Sequence, residues 1–338
     1  MQRWNPCEKV LNIDNVGKLG VKWSYDTGGS IANLISPTVA NGLVYITSYG
    51  GMLYALDAST GAKVWSYKTG FSVSSPAIVH GVVYVGAGDY NIYALNAATG
   101  AKLWQYVTGS EVYSSPTVAN GVVYIASIDG NVYALKARTG GKLWSYRTLG
   151  FEDSSPAVAN GVVYVGSYDG TLYALDAKTG AYRWSHKTGS NVSSSPAVAN
   201  GVVYFGSDNQ KVYALNASTG AKLWSFNTGD YVDSSPAIAG GVVYIGCHNG
   251  NVYALRAATG AKLWSYLTGD SVLSSPAVAN GVVYVGSWDN NAYALNARTG
   301  AKLWSYTTGS HVGSSPTVAN GVMYVGSFDN NLYAFGLK

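Results

Sequence analysis

The chain has 338 residues, 47% apolar, 13% aromatic and only 11% charged, with 42 Gly, 28 Tyr and 10 Trp, which excludes a disordered chain and points to a turn-rich globular fold. Its net charge of +4 is spread over lysines that recur at one place in the pattern (Lys63, Lys102, Lys142, Lys222, Lys262, Lys302), a dispersed ring that argues against nucleic acid as a partner. Met1 is followed by polar residues with no export signal, and no apolar run approaches the roughly 18 residues of a membrane span.

Residues 1–19 read as an N-terminal lead segment, and residues 20–338 as one repeat domain. The lead holds Cys7, and Cys247 lies far along the repeats. Their spacing carries no disulfide framework, and an extended lead could span on the order of 50 Å, so the sequence leaves their pairing open.

Next comes Trp23, alone in Val-Lys-Trp-Ser-Tyr. Eight Ser-Pro pairs then follow (prolines 37, 76, 116, 156, 196, 236, 276 and 316), with eight Tyr-Ala-(Leu/Phe) motifs (tyrosines 54, 93, 133, 173, 213, 253, 293 and 333). Each Tyr motif but the last is followed by a Trp: Trp65, Trp104, Trp144, Trp184, Trp224, Trp264 and Trp304. The unit beginning at Ser155 shows the order of strands. Ser155 to Ala159 is strand A, Asn160-Gly161 a two-residue turn, Val162 to Ser167 strand B, Asp169-Gly170 a second turn, Leu172 to Asp176 strand C and Tyr182 to Ser185 strand D. Asn-Gly between β-branched runs is a strong hairpin signal, and it recurs at Asn41, Asn120, Asn200, Asn280 and Asn320. Strand B is apolar at consecutive positions, so both of its faces must be covered by neighbouring sheets.

The predicted fold is therefore all-β: an eight-bladed β-propeller of four-stranded antiparallel blades. The chain opens on a strand D (residues 20–28) and ends after a strand C, so residues 315–338 and 20–28 together complete the last blade and remove the open edges. Burying each indole removes about 150–250 Å² from water, worth roughly 4–6 kcal/mol as an upper bound, which makes blade-to-blade packing the reading of the Trp column.

The block Ala-Leu-Asp-Ala-Ser-Thr-Gly-Ala-Lys-Val-Trp, from Ala55 to Trp65, and its relatives resemble the tryptophan-docking motif of pyrroloquinoline quinone (PQQ)-dependent alcohol dehydrogenases and the wider PQQ-like repeat family, which includes BamB-type scaffolds and extracytoplasmic kinase sensor domains. The resemblance implies eight blades, each Trp packed on the motif Gly of a neighbouring blade (Gly61, Gly100, Gly140 and so on), and a location outside the cytoplasm. The dehydrogenases hold PQQ with a vicinal Cys-Cys disulfide and Ca²⁺ with Glu, Asn and Asp; here the two cysteines are far apart and Glu occurs only at positions 8, 111 and 152. The expectation is accordingly a non-enzymatic binding or scaffold propeller without cofactor or metal, a monomer whose partner is a protein or a small ligand. A PQQ/Ca-dependent oxidoreductase and a ligand-sensor domain are the alternatives.

The meander puts A–B and C–D turns on one face and B–C and D–A connections on the other. The first face barely changes between copies. The second varies and is aromatic-rich, which marks it as the candidate binding face: Tyr49, Tyr168, His248, Trp288 and Phe328 after strand B, and Tyr113, Tyr231 and His311 before strand A. Glu152, Asp153 and Asp233 should lie at the channel mouth, because they lead into the innermost strands. The Asp-Gly pairs read as turns rather than Ca²⁺ loops, the histidines share no repeat position, and no catalytic set is present.

Overall fold

The computed structural model describes residues 5–31, 35–71, 74–150 and 153–337. Eight four-stranded antiparallel sheets follow one another along the chain, and one 3₁₀ turn, Val16–Lys18, precedes the first strand. Blade 4 is typical, with strands Ala157–Ala159, Val162–Gly166, Thr171–Asp176 and Tyr182–Lys187 from the axis outward. Strand A starts later than Ser155, because Pro156 has no N–H to donate and the Ser155 N–H is used elsewhere, bonding the Ser195 Oγ of the next blade at 2.9 Å. The A–B turns need left-handed backbone at both central residues, and Asn160 (φ 50) and Gly161 (φ 75) supply it. His80 takes the Asn place in blade 2 with φ 49.

The eighth blade is shared by the two ends of the chain. Strand Leu19–Asp26 pairs antiparallel with Asn331–Leu337, in a register that sets Leu19 opposite Leu337 and Asp26 opposite Asn331. Strands B and C of every blade are buried on both faces, and the apolar clusters between blades combine residues of two neighbouring sheets.

Seven of the eight indoles lie on the motif glycine of the following blade. A Cβ on Gly61 would fall 2.7 Å from Trp23, and Gly100, Gly140, Gly180, Gly220, Gly260 and Gly300 stand in the same relation to Trp65, Trp104, Trp144, Trp184, Trp224 and Trp264. Each of these indole N–H groups donates to an alanine carbonyl next door, as Trp65 does to Ala97 at 2.9 Å. Strand-B tyrosines reach the same carbonyls; Tyr45 donates to Ala97 at 3.0 Å.

The seam between blades 7 and 8 departs from this pattern, because blade 8 ends without an Ala-x-Thr-Gly turn. Trp304 donates instead to the Leu19 carbonyl at 3.0 Å and meets Phe335 edge-on at 5.0 Å. Tyr284, fully buried, has no hydrogen-bond partner for its hydroxyl among the described residues. The lead fills the gap: Leu11 and Val16 are buried against Tyr284 and Trp304. Glu8, 2% exposed, accepts from the backbone N–H groups of Val10, Leu11 and Gly321.

Candidate channel-mouth site

The short inner strands enclose an axial cavity of about 970 Å³. Prolines of six blades and a belt of serines line it. Around the belt each serine N–H donates to the serine hydroxyl of the next blade, from Ser36 to Ser75 (2.8 Å) through to Ser275 and Ser315 (2.9 Å), and Ser315 closes the ring on the Ile35 carbonyl at 3.1 Å. Asn5 of the lead also lines the cavity, donating to the Val278 and Val318 carbonyls of the inner strands.

On the B–C and D–A side, the variable residues fall into groups. Trp288 stacks on His311 with ring centres 5.3 Å apart, and Phe328 meets His311 edge-on at 6.2 Å. In blade 6, His248 Nε2 donates to Asp233 Oδ2 at 2.7 Å, with Tyr231 edge-on to the imidazole at 5.9 Å. This bond to Asp233 raises the His248 pKa above its ordinary value. In blade 4, Tyr168 donates to Asp153 Oδ2 at 2.6 Å, while Asp153 Oδ1 is buried without a hydrogen-bond partner among the described residues. Burial raises the Asp153 pKa, and the charge of Asp233 adds to the rise. Tyr49, Tyr113, Phe328 and Asp153 all line the cavity. Glu152 lies outside the described residues.

Asp208 completes the acidic group and is absent from the sequence-derived site. Burial pushes its carboxyl up to about 7, with the neighbouring Asp233 charge and hydrogen bond adding to the effect. The signal was available, since Asp208 is the acidic residue of the ring of positions after strand B that otherwise carries aromatics, His248, Gly88 and Ile128.

The Asp-Gly turns use their carboxylates internally. Asp129 accepts from the Tyr133 hydroxyl at 2.6 Å and the Gly109 N–H at 2.7 Å. Cys7 is exposed and Cys247 buried, both free thiols. Among the described residues no group of three or more His, Cys, Asp or Glu is placed to hold a metal ion. These residues do not fit a calcium-bound quinone held by a vicinal disulfide.

A family model described as outer membrane protein assembly factor BamB matches residues 80–153, 148–272 and 267–338. The chain belongs to the BamB family. BamB from Moraxella catarrhalis superposes on this BamB-family propeller with a TM-score of 0.79 at 20% identity, over 94% of this chain and 99% of that one, a likeness of fold. A second family model, the β-propeller domain of glucose/ethanol/alcohol dehydrogenases, matches residues 1–75. The quinoprotein ethanol dehydrogenase of Pseudomonas aeruginosa is 42% identical over 71 residues, and the dehydrogenase subunit of the quinone alcohol dehydrogenase of Gluconobacter oxydans is 39% identical over 66. Each match covers 20% of this chain, and 11% and 9% respectively of those longer proteins. These relatives correct the expectation of a chain outside the enzymes: the repeats are shared with named dehydrogenases, and the finding favours enzyme-family membership. No helix among the described residues is long and apolar enough to cross a membrane.

Proposed function

We propose that this BamB-family propeller acts outside the cytoplasm as a binding module whose variable face docks a protein partner carrying a basic segment. The observation that carries the reading is the concentration of Asp153, Asp208 and Asp233 beside half-buried and exposed aromatics on one face, opposite a face of near-invariant turns. Carboxylates at the mouth attract cationic side chains, and aromatics with a polar tip give large contact area at low entropic cost. The family description adds a protein-assembly context. The test is a pull-down from extracytoplasmic extract compared across Tyr168→Ala, Trp288→Ala, Asp233→Asn and the opposite-face change Asn160→Ala. Capture lost in the first three and kept in the last supports the reading; the reverse pattern overturns it.

The dehydrogenase relatives favour a second reading, a quinone-dependent oxidoreductase. Saturable quinone absorbance on adding PQQ and Ca²⁺, with alcohol-dependent dye reduction, would establish it; a flat titration with folded protein would remove it.

A further inference from the structure

Of the described residues lining the axial cavity, Asp153 alone carries a formal charge; the rest are prolines, serines, threonines, small aliphatics, Asn5 and the aromatics of the mouth. Asp153 commits one oxygen to the Tyr168 hydroxyl and leaves Oδ1 buried without a donor among the described residues. The aromatics sharing this wall form an arc around the mouth, Phe328 from blade 8, Tyr49 from blade 1 and Tyr113 at the entry to blade 3, ending at Asp153 in blade 4. Aromatic faces attract cations through the ring quadrupole, and a carboxylate among them selects a positively charged donor over a neutral one. Below the arc, the prolines offer an apolar wall and the serine belt an uncharged polar one.

We infer that the channel is a binding site for an alkylammonium ion, its head held by the Asp153 carboxylate within the arc of Tyr49, Tyr113 and Phe328 and its aliphatic stem lying along the prolines of the wall. The ion is either a free amine or a lysine side chain of a polypeptide, since both present the same head and stem. The inference goes beyond docking on the rim, because a cation inside the channel needs no contact with Trp288 or His311.

Titration calorimetry of the full chain with n-hexylammonium, hexan-1-ol and hexanoate tests it, with a Gly-Gly-Lys-Gly-Gly peptide as a separate arm. Saturable binding of hexylammonium at least tenfold tighter than hexanol, with hexanoate silent, is expected; binding in the amine arm assigns a free ligand and in the peptide arm a lysine side chain. Asp153→Asn should weaken the cation about tenfold and leave hexanol unchanged, Tyr113→Leu should weaken it severalfold, and Trp288→Ala should have no effect. Equal affinity for hexylammonium and hexanol, or no binding in either cationic arm by protein with unchanged thermal melting, overturns the proposal. Loss of rim docking with retained cation binding would count against the partner reading alone.

Discussion

The indole of Trp23, at the start of the propeller, occupies the space where Gly61 of the first blade would carry a side chain: a Cβ there would sit 2.7 Å from two of the ring carbons. The same glycine has φ +74. Gly61→Ala therefore combines backbone strain with overpacking and should destabilise the fold by about 2–4 kcal/mol. Gly42→Ala, at φ +76 with open space around it, isolates the strain at about 1 kcal/mol. Urea midpoints of the two variants measure the difference, and equal midpoints would show that the indole carries no docking energy.

Removing residues 1–28 takes away the strand paired with Asn331–Leu337 and leaves an open edge on the last blade. The truncated chain should form oligomers or aggregates by size-exclusion chromatography with light scattering and should melt well below the full chain. A monomer with unchanged melting would mean that the pairing does not hold the ring shut.

On the variable face, Trp288→Ala removes the ring stacked on His311, and Tyr168→Ala removes the hydroxyl on Asp153. Each should weaken a rim partner by about 2 kcal/mol or more with the blades still folded. Asn160→Ala instead places a side chain disfavoured at φ 50 in a hairpin turn, lowering stability and leaving the intrinsic affinity alone. Affinity and melting temperature measured on the same three variants separate the two effects.

Stability should also fall as pH rises from about 5 to 8. Asp208 keeps its proton in the folded state up to about 7, through burial and the neighbouring Asp233, while the unfolded chain releases it near 4. His248, held charged by Asp233, adds stability below its ordinary range that is lost as pH climbs through its raised value. Both groups move stability the same way. Burial also raises the pKa of Asp153 and of Tyr168 beside them. Solvent exposure of these side chains screens the effect to about 1 kcal/mol, or about 2 °C in Tm. Thermal melts at pH 5.5 and 8.0 should show the slope, and Asp208→Asn should remove most of it; an unchanged slope in that variant would assign it elsewhere.

The propeller was legible because the blades repeat their own evidence: a two-residue turn, Asn-Gly in six of the eight, a doubly buried strand B and a Trp, with one strand displaced to the start of the chain. Strand limits were less so, since the sequence does not say that the Ser155 N–H leaves the sheet to bond Ser195. For the mouth, their place just ahead of the innermost strands points to Asp153 and Asp233, whereas Asp208 stands among aromatics in the ring of positions after strand B. Its carboxyl meets Asp233 only through the curvature of the ring, a relation between blades that no spacing along the chain expresses.

The seam at blades 7 and 8 gives the ring an origin. Seven junctions are interchangeable, each an indole on a glycine, so the chain could be opened at any of their surface loops and rejoined elsewhere without altering one such contact. The eighth is closed by Leu11, Val16 and Glu8 of the lead over Tyr284. A circularly permuted chain must therefore carry residues 5–18 to that junction wherever its new ends lie, and the lead acts as the key that distinguishes one blade in an otherwise near-symmetric wheel.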